Sequence, residues 1–257
     1  MRPLPKIMVA PNGARRGKAD HPALPITDDE VVEVAIASQA AGADGIHIHI
    51  RDDAGQHLID AERYRGLLDR LTVEVPEMYL QVTSETAGQY EAVEQQAMVR
   101  ELRPDYVSVG LREMVRHPTD WTTARDFYHW ARGAGVEIQH ILYSPDDVLN
   151  LVNALKDGNI PGQDHLVLFV QGTYANGSKD SVDLEEYLTP LATMDGFEFD
   201  WMVCAFGTQE TNSLVRAAEL GGKARVGFEN SLQNADGSHA KDNAERVREV
   251  SAAILGL

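Results

Sequence analysis

The segment His47-Ile48-His49-Ile50-Arg51-Asp52 sets two imidazoles and a guanidinium at every second residue. In an extended chain, side chains alternate, so His47, His49 and Arg51 share one face and Ile46, Ile48 and Ile50 the other. Two imidazoles at that spacing can reach one divalent metal ion, and a neighbouring Arg can hold an anionic ligand. A pair of hydrogen-bonded core histidines would give the same pattern. Three polar groups on one buried face are costly, however, unless something satisfies them. A catalytic zinc takes three protein ligands and keeps a fourth position open. Near the end of the chain, Arg225-Val226-Gly227-Phe228-Glu229-Asn230 puts Arg225, Gly227 and Glu229 on one extended face. Glu229 is the candidate third ligand; its alternative role is a salt bridge to Arg225 or Arg51.

Other candidates are weaker one by one. The stretch from Pro11 to Lys18 holds Asn12 and three cations, Arg15, Arg16 and Lys18, in a chain of formal net charge −17. Such a cluster suits a carboxylate or phosphate, or is an ordinary solvated loop. Thr83-Ser84-Glu85-Thr86 and Ser108-Val109-Gly110-Leu111-Arg112-Glu113 offer hydroxyls, backbone amides and two carboxylates, Glu85 and Glu113, beside short apolar runs. Thr83, Ser84, Ser108 and Glu113 thus join Asn12, Arg15 and Arg16 as candidates to orient an anionic substrate. His140 is either a core residue or a further ligand, His165 opens a later run, and His21, His117 and His129 read as loop or helix-surface residues. The chain has no G-x-S-x-G elbow, P-loop or strand-Gly-x-Gly-x-x-Gly-helix unit, which argues against α/β-hydrolase, nucleotide-hydrolase and dinucleotide chemistry.

Elements that would position these residues recur along the chain. Apolar runs at 7–10, 45–50, 78–83, 106–110, 137–143, 165–171, 200–206 and 225–229 alternate with segments of helical spacing. Thr27 before Asp28 and Asp29 reads as an N-cap, and Gly42, Gly135, Gly158 and Gly221 fall where left-handed C-caps are wanted. The sixth helical segment, 182–194, is weakened by Pro190. Eight such units predict an α/β fold, a (β/α)8 TIM barrel, as a single domain over residues 1–257. An open doubly wound sheet is the alternative. In the barrel, chemistry belongs at the C-terminal ends of the strands, where the singled-out residues fall, and strand eight closes near strands one and two.

The net charge argues against nucleic acid and against an anionic membrane surface as partners. No segment approaches the ~20 apolar residues that span a bilayer, and the first apolar stretch is too short for a signal peptide. The one cysteine, Cys204, excludes an internal disulfide and fits a reducing cytoplasm. In the run WMVCAF, without a basic neighbour in sequence, it reads as a small buried hydrophobe.

The segments APNGAR (10–15), ADHPALPIT (19–27), GADGIHIHIRD (42–52) and RVGFEN (225–230) resemble, in order, those of the β-keto acid cleavage enzymes. The resemblance implies a (β/α)8 barrel, usually a homotetramer, with a catalytic divalent metal, typically zinc, on His47, His49 and Glu229. It implies acyl exchange between a β-keto acid and acetyl-CoA, giving acetoacetate and a new CoA thioester. The family's Arg on the last strand corresponds to Arg225. Two departures stand out. Asn230 occupies a position where an acid/base Asp often follows the metal-binding Glu, and an amide cannot shuttle a proton. The loop after the first strand, PNGARR, lacks the acid that meets an ammonium in an amino-substrate member, which points to a neutral or acidic β-keto acid. In this reading the C2 enolate attacks the acetyl thioester, Arg225 or Arg51 stabilises the oxyanion, and Asn230 orients substrate. The base is a metal-bound hydroxide, Glu113 or Glu85. Rival readings are a zinc-dependent hydrolase of a small anionic substrate and a non-catalytic metal-stabilised barrel that binds a metabolite.

Overall fold

A computed structural model describes residues 2–175 and 182–256, and strands alternate with helices along them. The order is β1 (Ile7–Val9), α1 (Asp28–Ala40), β2 (Gly45–Ile48), β3 (Ile50–Arg51), β4 (His57–Leu58), α2 (Ala61–Glu74), β5 (Tyr79–Thr83), α3 (Ala92–Leu102) and β6 (Tyr106–Gly110). Then come α4 (Leu111–Met114), α5 (Trp121–Ala134), β7 (Glu137–Leu142), α6 (Pro145–Lys156), β8 (Asp164–Gln171), α7 (Leu184–Leu191), β9 (Glu198–Ala205), α8 (Glu210–Glu219), β10 (Lys223–Val226) and α9 (Asn243–Leu255). Eight strands close a barrel in the order β1-β10-β9-β8-β7-β6-β5-β2, each pair parallel. The TIM barrel expected from the alternation is the fold, and the open sheet is not. No helix among the described residues is long and apolar enough to cross a membrane.

Local chemistry sets the boundaries. Thr27 Oγ1 accepts the Glu30 amide while the Glu30 carboxylate accepts the Thr27 amide, a reciprocal cap on α1. Asp60, Ser144 and Asp242 cap α2, α6 and α9 in the simpler way. Gly42, Gly135, Gly158 and Gly221 all take positive φ, as their places after the helices require. α7 runs only eight residues and ends one residue after Pro190.

Strand alternation divides the buried side chains into two layers. Ile46, Ile48, Val82, Val107, Val167, Phe169 and Val203 point outward and pack under the helices. Inside the barrel, one half is apolar: Met8, Ile141, Leu166, Leu168, Val170, Met202, Cys204 and Phe206 form one cluster. The other half is polar, since His47, Gln81, Thr83, Ser108, Gln139 and Arg225 are all buried on the inward face of β2, β5, β6, β7 and β10. Polar groups kept from water must be satisfied by one another or by a ligand.

Two of the expected strands end early, at the barrel mouth. β2 stops at Ile48, and the chain resumes in β3, which pairs antiparallel with β4 outside the barrel. β10 stops at Val226 because Gly227 turns the chain at φ +142°. A Cβ at Gly227 would lie 2.5 Å from the Ala10 carbonyl oxygen and 2.9 Å from Asn243 Oδ1, so both the angle and the space demand glycine.

Candidate metal centre

His47 projects from the last turn of pleat in β2, and His49 follows at the break after it. Their Nε2 atoms face each other at 3.1 Å. Glu229 Oε2 lies 3.6 Å from each of them, and all three residues are buried. Their ligand atoms all lie within 4.8 Å of one another, so the group can hold a metal ion. Two observations say the fit is real. Glu229 Oε2 is buried with no hydrogen-bond partner, and an ionised oxygen without one is costly. The two Nε2 atoms meet each other rather than a donor or acceptor of the fold.

The proton on His47 is placed by a chain of amides. Gln139 Nε2 donates to the Val167 backbone carbonyl at 3.3 Å, and a carbonyl can only accept. That turns Gln139 Oε1 toward Gln81 Nε2 at 2.9 Å, and hence Gln81 Oε1 toward His47 Nδ1 at 2.8 Å. His47 therefore carries its proton on Nδ1 and presents the Nε2 lone pair to the site, the outer-shell arrangement that metal-binding histidines use. Burial pushes the His47 pKa down to about 4, with Arg225 adding to the effect against Glu229 and Gln81. Burial, His47 and His57 keep His49 neutral as well. Asn12 Nδ2 donates to the backbone carbonyls of His49 and Pro25 at 3.2 and 3.1 Å, pinning the chain where β2 breaks. Gln81 and Gln139 escaped the sequence reading, although two glutamines facing into a barrel were a signal.

Glu229 is delivered by a turn, not by a strand. Its own amide donates to the Ala10 carbonyl, the Phe228 amide to Asn243 Oδ1 at 2.9 Å, and the Gly227 amide to Glu210 Oε1 at 3.3 Å. Glu210 in turn holds Arg246 at 2.7 Å, with both side chains wholly buried. Arg16 donates to the Phe228 carbonyl at 2.6 Å. The expectation that Glu229 shares a strand face with Arg225 is thus corrected in its geometry, while Glu229 does meet the two histidines. Arg225 Nη2 donates to Glu229 Oε1 at 3.1 Å and lies 3.5 Å from Cys204 Sγ. Cys204 is buried as expected but does have a basic neighbour; burial still pushes its thiol up to about 11.

Arg51 is placed otherwise than alternation suggested. Because the strand breaks at His49, its guanidinium reaches back to the carbonyls of Gly13, Gly55 and Arg16 and braces the loop after β1. Its donors are spent on backbone, so it is not the oxyanion group. Ser84 is tied to Gln95 and to the Ser108 carbonyl, and Ser108 Oγ donates to Thr83 Oγ1, which accepts the Glu85 amide. Of these hydroxyls, that of Thr83 holds Glu85 through its amide, and Ser108 braces Thr83. Glu113 accepts the Thr86 amide at 3.0 Å. Arg15 and Arg16 lie over the Tyr174 ring at 5.7 and 5.3 Å, and Lys18 pairs with Glu30 at 2.5 Å, so the expected loop cluster is largely engaged. His140 faces outward between Tyr128 and His165, a core residue and not a ligand of this centre. His21, read as a loop or helix-surface residue, lies in the loop before α1 but is buried against Phe228 and bonds the Ala240 carbonyl. His57, absent from the expectations, is brought by β4 to 5.3 Å from His49 and lies 2.7 Å from the Glu85 carbonyl.

A narrow cavity of about 50 Å³ opens onto the centre, lined on its polar side by His47, Glu85, Arg225, Glu229 and Asn230. Glu85 Oε2 lies 3.6 Å from His49 Nε2. Burial first, then the charges of Glu229 and Glu113, push its carboxyl up to about 8. Asn230 is buried with neither amide atom partnered, and it overhangs the cavity because the strand has already ended.

A family model described as beta-keto acid cleavage enzyme matches residues 6–257. This chain belongs to that family. Among characterised relatives is the 3-oxoadipate:acetyl-CoA acetyltransferase of Cupriavidus necator, 27 % identical over 251 residues, covering 96 % of this chain and 87 % of that one. The 3-keto-5-aminohexanoate cleavage enzyme of Fusobacterium nucleatum is 27 % identical over 246 residues, covering 93 % and 86 %. Among solved structures, the ternary complex of ObcA with a C4-CoA adduct and oxalate superposes with a TM-score of 0.68 at 18 % identity. It matches over 91 % of this chain but only 64 % of ObcA, a likeness of fold alone. The chain is therefore a β-keto acid cleavage enzyme of the barrel type.

Proposed function

We propose that this enzyme exchanges acyl groups between a β-keto acid and acetyl-CoA, releasing acetoacetate and a new CoA thioester. The observation that carries the reading is the convergence of two imidazole Nε2 atoms and an unpartnered buried carboxylate oxygen at the barrel mouth, in a member of this family. Zinc or another divalent ion on His47, His49 and Glu229 would supply Lewis-acid polarisation of the keto and carboxylate oxygens. In this reading Glu85, one of the two carboxylates lining the cavity, takes the C2 proton. The C2 carbanion then forms a bond to the acetyl carbonyl carbon, and CoA leaves as thiolate. The thiolate adds to the original C3 carbonyl, and the C2–C3 bond breaks with its electron pair returning to C2. Reprotonation there by Glu85 gives acetoacetate. Arg225, with Nε unpartnered beside the cavity, stabilises the oxyanions of the two additions. Asn230 orients substrate through its free amide, and Arg15 at the rim faces the anionic parts of CoA.

The single buried cysteine fits a reducing cytoplasm. A homotetramer is part of this reading, and sedimentation would check it.

The deciding assay mixes purified enzyme, acetyl-CoA and a panel of β-keto acids and follows acetoacetate. Formation of acetoacetate strictly dependent on acetyl-CoA is expected. Consumption of the keto acid without CoA ester would instead indicate a metal-dependent hydrolase.

A further inference from the structure

The reaction leaves the group attached to C3 unspecified, and the cavity walls speak to it. Among the described residues, the charged side chains lining the cavity are Glu85, Arg225 and Glu229, grouped around the metal ligands. The facing wall consists of Ile141, Tyr143, Val170, Tyr174 and Phe206. It continues the apolar half of the barrel interior: Ile141, Val170 and Phe206 belong to one cluster with Leu168 and Cys204 beneath them. Tyr174 stands edge-on to Phe206 at 4.6 Å and closes the wall at the top.

Two of the described cations near this wall, Arg112 and Arg16, are already committed. Arg112 lies behind Tyr143, 4.7 Å over its ring, and is paired with Asp147 at 2.6 Å. Arg16 is held by the Phe228 carbonyl on the far side of Tyr174. Arg15 is exposed and lies 5.7 Å over the same ring, at the rim assigned to CoA and not on the wall itself. Among the described residues no carboxylate lines this wall either. A substrate bound head-first, keto and carboxylate oxygens toward His47, His49 and Glu229, would press its C3 substituent against the uncharged aliphatic and aromatic side chains of this wall.

From this we infer that the preferred substrate is a β-keto acid with a short uncharged alkyl tail, and that Ile141, Val170 and Phe206 set this preference. The assignment rests on the acyl-exchange reading for the orientation of the acid. A charged tail would lose its hydration against a wall whose described residues offer no counter-charge, a cost of about 100-fold or more in discrimination when nothing replaces the lost water. An alkyl tail gains from the same wall with each methylene it buries.

Three acids of equal chain length isolate the tail: 3-oxohexanoate, 3-oxoadipate and 5-amino-3-oxohexanoate. Each is assayed with acetyl-CoA for kcat/KM, and each is separately titrated into the enzyme by calorimetry. The expected result is a preference for 3-oxohexanoate of about 100-fold or more in kcat/KM over both charged acids, with the same order in Kd. Val170→Arg should narrow or reverse the gap to 3-oxoadipate. Equal or better turnover or binding of either charged acid by the unaltered enzyme overturns the inference, as does failure of all three to bind. Tightest binding of 3-oxohexanoate without acetoacetate from any acid would uphold the tail assignment and overturn the acyl-exchange reading instead.

Discussion

The barrel carries two buried histidine pairs, one at each end, and they behave as different chemistry. His47 and His49 sit at the C-terminal mouth with ring centroids 5.0 Å apart. His140 and His165 sit on neighbouring strands β7 and β8, 5.9 Å apart, beside a larger cavity of about 230 Å³ at the opposite end. Both pairs are kept neutral by burial. What separates them is company. The first pair has Glu229 Oε2 at 3.6 Å from both rings and an amide chain that fixes one tautomer. The second is surrounded by Tyr128, Phe197 and Phe199 and forms no group able to hold a metal ion among the described residues. Histidines make a metal centre when an anion and a tautomer lock are supplied with them; otherwise they are polar core.

The sharpest way to break this contrast is to remove a residue from each end. His49→Ala and Glu229→Gln should each lose the divalent ion, expected at about one per chain, and lower kcat/KM by on the order of a thousandfold or more, since Lewis-acid stabilisation is worth several kcal/mol. His165→Ala should keep both. Metal content by elemental analysis and turnover on one sample decide it. Full metal retention in both mouth variants would mean the ion sits elsewhere.

A smaller effect tests the tautomer lock itself. Gln81→Leu keeps the size of the side chain but leaves His47 Nδ1 without its acceptor. Metal affinity should fall by about 10–100-fold, the usual effect of losing an outer-shell partner. Competition with a chelator measures this directly. A wild-type dissociation constant would reduce the Gln81–Gln139 chain to core packing.

Why one pair was legible and the rest of the site only partly so follows from the range of the signals. The spacing His47-x-His49 is local, and alternation alone puts both rings on one face. Eight alternating units likewise revealed the barrel, because hydrophobic period is read within each segment. Arg51 was misplaced because the same alternation was carried past His49, where the chain leaves the barrel for the β3–β4 hairpin. That hairpin also hid His57, whose approach to His49 depends on pairing and not on spacing. Glu229 was chosen for the right place by the wrong path. Its position depends on the turn at Gly227, held by Glu210 on α8 and by Asn243 and Arg246 on α9, contacts that no local pattern announces. Outward-facing His140 was readable in principle, since Gln139 and Ile141 on either side face inward.

The smallest effect belongs to the pair at the far end and concerns stability, not turnover. His140 is fully buried, and desolvation first, with His165 adding to it, lowers its pKa from 6.5 to about 3. Facing it are His165, itself lowered, and Tyr128, whose hydroxyl is buried without a partner. Below pH 6.5 the unfolded chain binds a proton at this residue that the folded chain refuses. The stabilisation is therefore complete above about pH 6.5 and is lost as pH falls toward about 3. Within that window His140 alone contributes a slope of about 1.4 kcal/mol per pH unit. His140→Leu removes the titrating group, so urea denaturation at a series of pH values between 4 and 7 should show a shallower acid limb than the unaltered enzyme. The buried His47, His49, His57 and His165 titrate in both proteins, and the difference between the two curves isolates His140. Turnover at pH 7 should stay within about twofold, because the residue faces away from the mouth and touches none of its ligands. Equal slopes would mean that water or a rearranged Tyr128 lets His140 protonate in the folded state. A large loss of turnover would mean that the far end is coupled to the metal centre, and the division of labour between the two pairs would have to be given up.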